Sequence, residues 1–116
     1  MSQTIIYHNP ACSTSRKALE MLTAAGRRPQ VVEYLKVGWT KSQLQGLLKA
    51  MGSKPRDILR TRGDLASSLG LTDLAAADEA ILDAMVAHPV LVERPIVETE
   101  KGVRLGRPVE RVQEIL

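Results

Sequence analysis

A single cysteine, Cys12, is the side chain in this sequence best suited to nucleophilic or redox chemistry. It follows a β-prone run and precedes a helical pattern, so we expect its thiol at the N-terminal end of a helix. The unbonded N–H groups and the positive end of the helix dipole favour a thiolate there, which predicts a pKa below the roughly 8.5 of a free thiol. The same backbone amides can hold a substrate oxyanion. We therefore interpret Cys12 as the catalytic residue.

The polar neighbours of Cys12 favour a reactive thiol over an inert one. Free cysteines are often buried as small apolar side chains, but such a position would be expected within an apolar pattern. Cys12 instead lies in the polar segment Pro-Ala-Cys-Ser-Thr-Ser. Three nearby residues are expected to support its thiolate: His8, Ser15 and Arg16. His8 could equally hydrogen-bond the loop backbone, and both roles are compatible.

Position 15, where a Cys-x-x-Cys redox motif would have its second thiol, is a serine, Ser15. Because the chain has one cysteine, the second thiol of any redox cycle must come from another molecule, and glutathione is the expected one. A phosphatase-type Cys-x5-Arg loop is disfavoured, because the sixth residue after Cys12 is Ala18. The sequence thus predicts a thiol oxidoreductase of a reducing compartment, the cytoplasm.

The composition is that of an ordinary globular protein. The 116 residues are 44% hydrophobic and 25% charged, and no apolar run approaches the roughly 18 residues of a membrane span. We expect one domain over residues 1–116, without membrane association. The net charge is +3 and no run of Lys and Arg exceeds two residues, so nucleic-acid binding is disfavoured. Two histidines and one cysteine without short spacing predict no metal site.

The hydrophobic pattern predicts an α/β fold. Residues 4–7 and 31–35 are β-prone, and the pattern between them indicates a helix that stops at Gly26, which makes a β-α-β unit. After a helical middle, residues 95–99 and 103–105 indicate a β-hairpin. The order β-α-β, helices, β-β-α is typical of a mixed sheet with a helical insertion after the second strand.

The helical middle is predicted to contain three helices. Thr40 can cap the first, which ends at Gly52, and Pro55 suits the first turn of the second. The third is predicted over residues 78–88, and its core-facing residues are predicted to be Ile81, Leu82, Met85 and Val86. A last helix is predicted to begin at Pro108.

Several short motifs resemble those of the glutaredoxin-dependent arsenate reductase (ArsC) family, and the resemblance spans essentially the whole chain. In sequence order they are Tyr7-His8-Asn9-Pro10, Cys12, Thr14-Ser15-Arg16, Arg60, His88-Pro89, Arg94-Pro95-Ile96-Val97 and Leu105-Gly106-Arg107-Pro108. The resemblance implies a thioredoxin-like fold. It also implies a cis peptide bond between Arg94 and Pro95, which shapes the wall of the site.

The resemblance also implies an activity, the reduction of arsenate to arsenite. Cys12 would attack arsenic, glutathione would add as a co-substrate, and glutaredoxin would attack the glutathione sulfur; no bound cofactor is implied. The residues expected to hold arsenate or a similar oxyanion are Arg60, Arg94 and Arg107. Planar, permanently charged guanidinium groups suit such an anion. We expect the protein to act as a monomer.

Two alternatives keep the fold and change the function. Ser13 takes the place of a glycine in the family's motif, so the loop could serve a generic glutathione-dependent monothiol oxidoreductase with another substrate. A redox-sensing regulator that binds RNA polymerase has the same fold. Its switch uses a Cys-x-x-Cys pair, and Ser15 removes the second thiol, which makes the regulator the less favoured alternative.

Overall fold

The computed structural model describes residues 3–116, which divide into two units. The sheet unit comprises the residues up to Val37 together with Arg94–Leu116, and the helical unit comprises Gly38–Glu93. Within the described residues, no helix is long and apolar enough to cross a membrane.

The sheet unit is built around four short strands. Its elements are β1 (Ile5–Tyr7), α1 (Ser13–Ala24), β2 (Gln30–Val32), α2 (Tyr34–Val37), β3 (Ile96–Thr99), β4 (Gly102–Leu105) and the last 3₁₀ helix (Val109–Ile115). The strand order is β2-β1-β3-β4. β1 is parallel to β2 and antiparallel to β3, and β3 and β4 form an antiparallel hairpin. The predicted mixed sheet is confirmed.

One hydrophobic cluster holds α1 and the last 3₁₀ helix against the sheet. Ile6 of β1 is paired with Val97 of β3. These two side chains pack with a buried stripe of α1 and with the last 3₁₀ helix, and the cluster consists of Ile6, Ala18, Leu22, Val97, Val112 and Ile115. Because Ala18 and Leu22 are four residues apart, they lie on the same face of α1. Burial of each large aliphatic side chain contributes about 1.5–3 kcal/mol.

The helical unit lies in sequence between β2 and β3, where the insertion is predicted. Its elements are α3 (Lys41–Met51), a 3₁₀ helix (Pro55–Ile58), α4 (Leu65–Ser68), α5 (Asp78–Ala87) and a second 3₁₀ helix (Pro89–Leu91). Thr40 caps α3 as predicted, in a capping box with Gln43, and Gly52 ends the helix with a φ of 66°. The positive φ explains the glycine there, since other residues rarely adopt it.

The second strand is shorter than the sequence predicts. A strand is predicted over residues 31–35, but β2 ends at Val32 and α2 begins at Tyr34. Among the described residues, β2 pairs only with β1, which ends at Tyr7. The last pairing contact is the bond from His8 N–H to Val32 O at 2.8 Å. Beyond Val32, no strand within residues 3–116 is left to pair with, so the chain satisfies its backbone groups in a helical turn instead.

Two further details differ from the prediction. Ile81, Leu82 and Met85 are buried, but Val86 is 38% exposed, because it lies in the last turn of α5 at the edge of the buried face. The helices predicted to begin at Pro55 and Pro108 are 3₁₀ helices. The stop predicted at Gly26 is confirmed, because α1 ends at Ala24 and Gly26 has a positive φ in the turn that follows.

Candidate active site

Cys12 is placed at the start of α1 by a tight turn. The Cys12 N–H donates to Asn9 O at 3.0 Å, and the Asn9 side-chain oxygen accepts from the Ala11 N–H at 3.0 Å. Arg16, from the first turn of α1, donates through Nη1 to Pro10 O at 2.8 Å. The helix that follows the cysteine therefore fixes the loop that precedes it. This contact is with the backbone and not with the sulfur, so the expected support of the thiolate by Arg16 stays a prediction.

Ser15 fills the position of the second thiol with a fully buried hydroxyl. Its Oγ accepts from the Asn9 N–H at 3.1 Å and lies 2.7 Å from Nδ1 of His8. We assign the Ser15 hydroxyl as the donor and His8 Nδ1 as the acceptor, which places the single ring proton of a neutral imidazole on Nε2. Burial lowers the pKa of His8, which favours the same neutral form; the Glu33 carboxylate opposes this effect and Arg16 adds to it.

The sulfur of Cys12 has the environment of a helix cap. Cys12 is the N-cap residue of α1, with extended backbone angles, and the first turn of the helix has no acidic residue. Burial alone raises the pKa of Cys12. The backbone amide of Ser15, the Arg94 side chain and the backbone amide of Thr14 outweigh this effect and hold the pKa of the thiol below its ordinary value. The geometry therefore favours the nucleophilic thiolate.

Two of the three predicted arginines surround this sulfur. Arg107 Nη2 lies 3.7 Å from Cys12 Sγ, and Arg107 Nε donates to Arg94 O at 2.8 Å. Arg94 lowers the pKa of Cys12, yet its Nε and Nη1 are buried and donate to no group within residues 3–116. Arg94 is joined to Pro95 by a cis peptide bond, as predicted, and a second cis bond joins Arg107 to Pro108. Arg94 thus offers two unused donors beside the thiolate.

The third predicted arginine, Arg60, belongs to the helical unit. Its Nη1 forms an ion pair with Glu93 Oε1 at 2.9 Å, and both side chains are mostly buried. Two backbone hydrogen bonds connect the segments that carry these side chains. Arg60 N–H donates to Leu91 O at 2.7 Å, and Glu93 N–H donates to Ile58 O at 2.8 Å. The role of Arg60 in holding the oxyanion remains a prediction from the resemblance.

An open cleft of about 340 Å³ lies next to Cys12 and was not anticipated from the sequence. Its lining residues are Ser13, Thr14, Lys17, Arg107, Pro108 and Val109. The cleft forms because β4 delivers Arg107 and Pro108 to the N-terminal end of α1. The sequence does carry one signal for Lys17. It is four residues after Ser13, so it lies on the same helix face as the residue that follows the thiol.

The described residues contain no group of three or more His, Cys, Asp and Glu side chains that could hold a metal ion.

Comparison with known proteins places this chain in a family. The family model described as the ArsC family matches residues 7–115. The chain belongs to the ArsC family. It is 54% identical over 112 residues to the arsenate reductase ArsI2 of Synechocystis sp., covering 97% of this chain and 80% of that protein. It is 44% identical over 116 residues to the arsenate reductase of Escherichia coli, covering 100% of this chain and 82% of that protein.

A solved ArsC structure confirms the fold. The arsenate reductase from Vibrio cholerae superposes with a TM-score of 0.92 at 41% identity, covering 98% of each chain. The thioredoxin-like arrangement expected from the motifs is thus the arrangement of the family.

Proposed function

We propose that this ArsC-family chain reduces arsenate to arsenite and that Cys12 is its nucleophile. The observation that carries the proposal is the position of the Cys12 sulfur, which has a lowered pKa and lies beside Arg107 and the two unused donors of Arg94. A tetrahedral oxyanion could accept hydrogen bonds from these donors while its central atom faces the sulfur. The relatives named arsenate reductases support the choice of arsenate as the anion.

The reaction we propose needs one thiol from this chain and two from other molecules. The Cys12 thiolate attacks arsenic(V) and displaces one oxygen as hydroxide. Glutathione then replaces a second oxygen, which leaves arsenic bonded to both sulfurs. A glutaredoxin thiolate attacks the glutathione sulfur and forms a mixed disulfide with it. The bond between arsenic and the glutathione sulfur breaks, and its electron pair reduces arsenic(V) to arsenic(III). Hydrolysis releases arsenite and regenerates the thiolate. The buried hydroxyl of Ser15 supports this choice, because it cannot act as a resolving thiol.

The same single-thiol chemistry supports a reducing compartment. Glutathione and glutaredoxin must be available in reduced form for each cycle, and we propose the cytoplasm as the site of the reaction.

The direct test is arsenite formation from arsenate with glutathione and glutaredoxin. We expect the wild type to produce arsenite and Cys12→Ser to produce only the background rate. Equal rates for the two proteins would overturn the proposal. If neither forms arsenite but the wild type turns over a glutathione mixed disulfide, the generic monothiol oxidoreductase replaces the arsenate reductase.

Arg60 can be tested with a neighbouring arginine as its control. We expect Arg60→Ala to lower kcat for arsenate by about 100–1,000-fold, the range for loss of one charge-stabilising donor. Arg62→Ala removes the same charge from an exposed side chain and should leave the value unchanged. Similar losses in both variants, or none in Arg60→Ala, would remove Arg60 from the set of oxyanion ligands.

A further inference from the structure

The cleft beside Cys12 is larger than an oxyanion needs. At about 340 Å³ it falls within the roughly 300–1,000 Å³ of small-molecule sites, whereas a single tetrahedral anion fills a small part of such a volume. Arg107 connects the two places, because it lines the cleft and its Nη2 lies 3.7 Å from Cys12 Sγ. The cleft therefore adjoins a guanidinium group that contacts the thiol, and Arg94 is not among the residues that line it.

The residues that line the cleft suit a polar molecule with negative charge. Ser13 and Thr14 carry hydroxyl groups, and Lys17 and Arg107 carry positive charge. Lys17 is exposed, and no carboxylate within residues 3–116 pairs with its ammonium group. Pro108 and Val109 complete the lining with apolar surface. Cations, hydroxyl groups and a short apolar wall together suit an acidic peptide.

We propose that this cleft binds the anionic thiol co-substrate, a small peptide of the glutathione class, and that Lys17 pairs with one of its carboxylates. The proposal rests on the proposed function, which requires such a thiol to approach an adduct on Cys12. It assigns a specificity-determining role to Lys17: the ammonium group selects acidic thiols and directs the thiol end of the molecule toward Sγ. Lys17 reacts with nothing itself, so it is a binding residue.

The test uses thiol–disulfide exchange, which needs no arsenate. The Cys12 thiolate attacks oxidised glutathione, one sulfur becomes bonded to Cys12, and the other leaves as a glutathione thiolate. The intact mass of the protein reports the rate. The uncharged disulfide of 2-mercaptoethanol reacts in the same way and serves as the reference, since a change in the acidity of Cys12 would affect both reagents alike.

We expect the Lys17 variants to exchange more slowly than the wild type with oxidised glutathione but not with the uncharged disulfide. Lys17→Ala should lower the rate with oxidised glutathione about two- to fivefold, as expected for an exposed ion pair. Lys17→Glu should lower it further, because an attraction becomes a repulsion. The rate with the uncharged disulfide should change less than twofold. Arg28→Ala is the matched control: Arg28 is exposed, follows the C-terminal end of α1 and does not line the cleft.

The outcomes separate this proposal from the proposed function. Equal losses with both disulfides, or a loss in Arg28→Ala as large as in Lys17→Ala, would overturn the assignment of the cleft. If arsenite forms but the KM for glutathione is the same in wild type and Lys17→Glu, the cleft assignment fails and the arsenate reductase stands. If the exchange depends on Lys17 but no arsenite forms, the arsenate reductase fails and the cleft stands.

Discussion

At the scale of single residues, the chemistry depends on an N-cap position that a sulfur occupies. Ser, Thr, Asp and Asn are the usual N-cap residues, because their oxygens accept hydrogen bonds from the first helical amides. Cys12 has this position in α1, and the amides of Thr14 and Ser15 lower the pKa of its thiol. A thiolate is a far better acceptor than a neutral thiol, so the helix terminus favours the reactive form.

Alkylation of Cys12 should therefore persist to lower pH than alkylation of a free thiol. A lowered pKa means that the thiolate is still present below the roughly 8.5 at which a free thiol is half ionised. We expect the rate with iodoacetamide to reach half its plateau below that pH, and Arg94→Ala to move the midpoint upward. A midpoint at or above that of free glutathione in the same buffer would contradict the assignment.

Ser15→Ala should destabilise the protein and disturb the loop. The Asn9 N–H would lose its acceptor inside the protein, and the cost of a buried unsatisfied donor is about 1–3 kcal/mol. His8 Nδ1 would lose its partner as well. Urea denaturation should show the loss, while the matched change at the exposed Ser68 should stay within about 0.5 kcal/mol. Equal stability of the two variants would contradict the buried role of Ser15.

At the scale of elements, Gly106 shows how tightly β4 leads into the site. A Cβ atom at this position would lie 3.0 Å from Cγ of Pro95 and 3.2 Å from Cγ2 of Val112. Both neighbours are buried, and Val112 belongs to the cluster that holds the last 3₁₀ helix. A side chain at position 106 would therefore push on the segment that carries Arg107.

Gly106→Ala should lower the free energy of unfolding by about 1–3 kcal/mol, the usual cost of overpacking. Gly46→Ala is the control of opposite sign. Gly46 lies inside α3, and a Cβ there would meet nothing within 4 Å, so alanine should stabilise the helix by about 0.5–1 kcal/mol. Chemical denaturation measures both. If Gly106→Ala is neutral or stabilising, the close packing against Pro95 is not a constraint.

The type of most elements could be predicted from the sequence, but their extent depends on partners that the sequence does not show. The capping residue Thr40 and the glycine at position 52 are local signals for the two ends of α3, so the sequence predicts both ends correctly. β2 has no such marks. Its β-prone residues continue to position 35, but the pairing ends at Val32 because β1 is only three residues long.

The candidate site likewise has a part that the local sequence predicts and a part that depends on distant segments. Cys12, His8 and Ser15 lie within eight residues of each other, so local reasoning places them together. Arg107 is 95 residues from Cys12, and only the family resemblance linked the two. The contribution of Lys17 to a cleft could not be predicted, because the opposite wall comes from the segment after β4.

At the scale of the whole molecule, the unused donors of Arg94 link anion binding to folding. A ligand that binds only the folded state stabilises it by about 1.4 kcal/mol at ten times its Kd, which raises Tm by several degrees in a domain of this size. We expect sulfate or arsenate to raise the Tm of Cys12→Ser, which cannot form the arsenic adduct. Arg94→Ala in the same background should abolish most of the increase.

Sodium chloride at equal ionic strength is the control for screening. If chloride raises Tm as much as sulfate does, or if the increase survives in Arg94→Ala, the Arg94 donors do not receive the anion.

The buried hydroxyl of Ser15, in place of a second thiol, lengthens the lifetime of any covalent adduct on Cys12. The sequence has one cysteine, so no second thiol of this chain can displace a substituent from Cys12. Each adduct lasts until a molecule from solution removes it, and the time spent capped is set by the supply of such molecules. The turnover rate then depends on the concentration of reduced small thiols in solution. A shortage of these thiols would stop turnover reversibly.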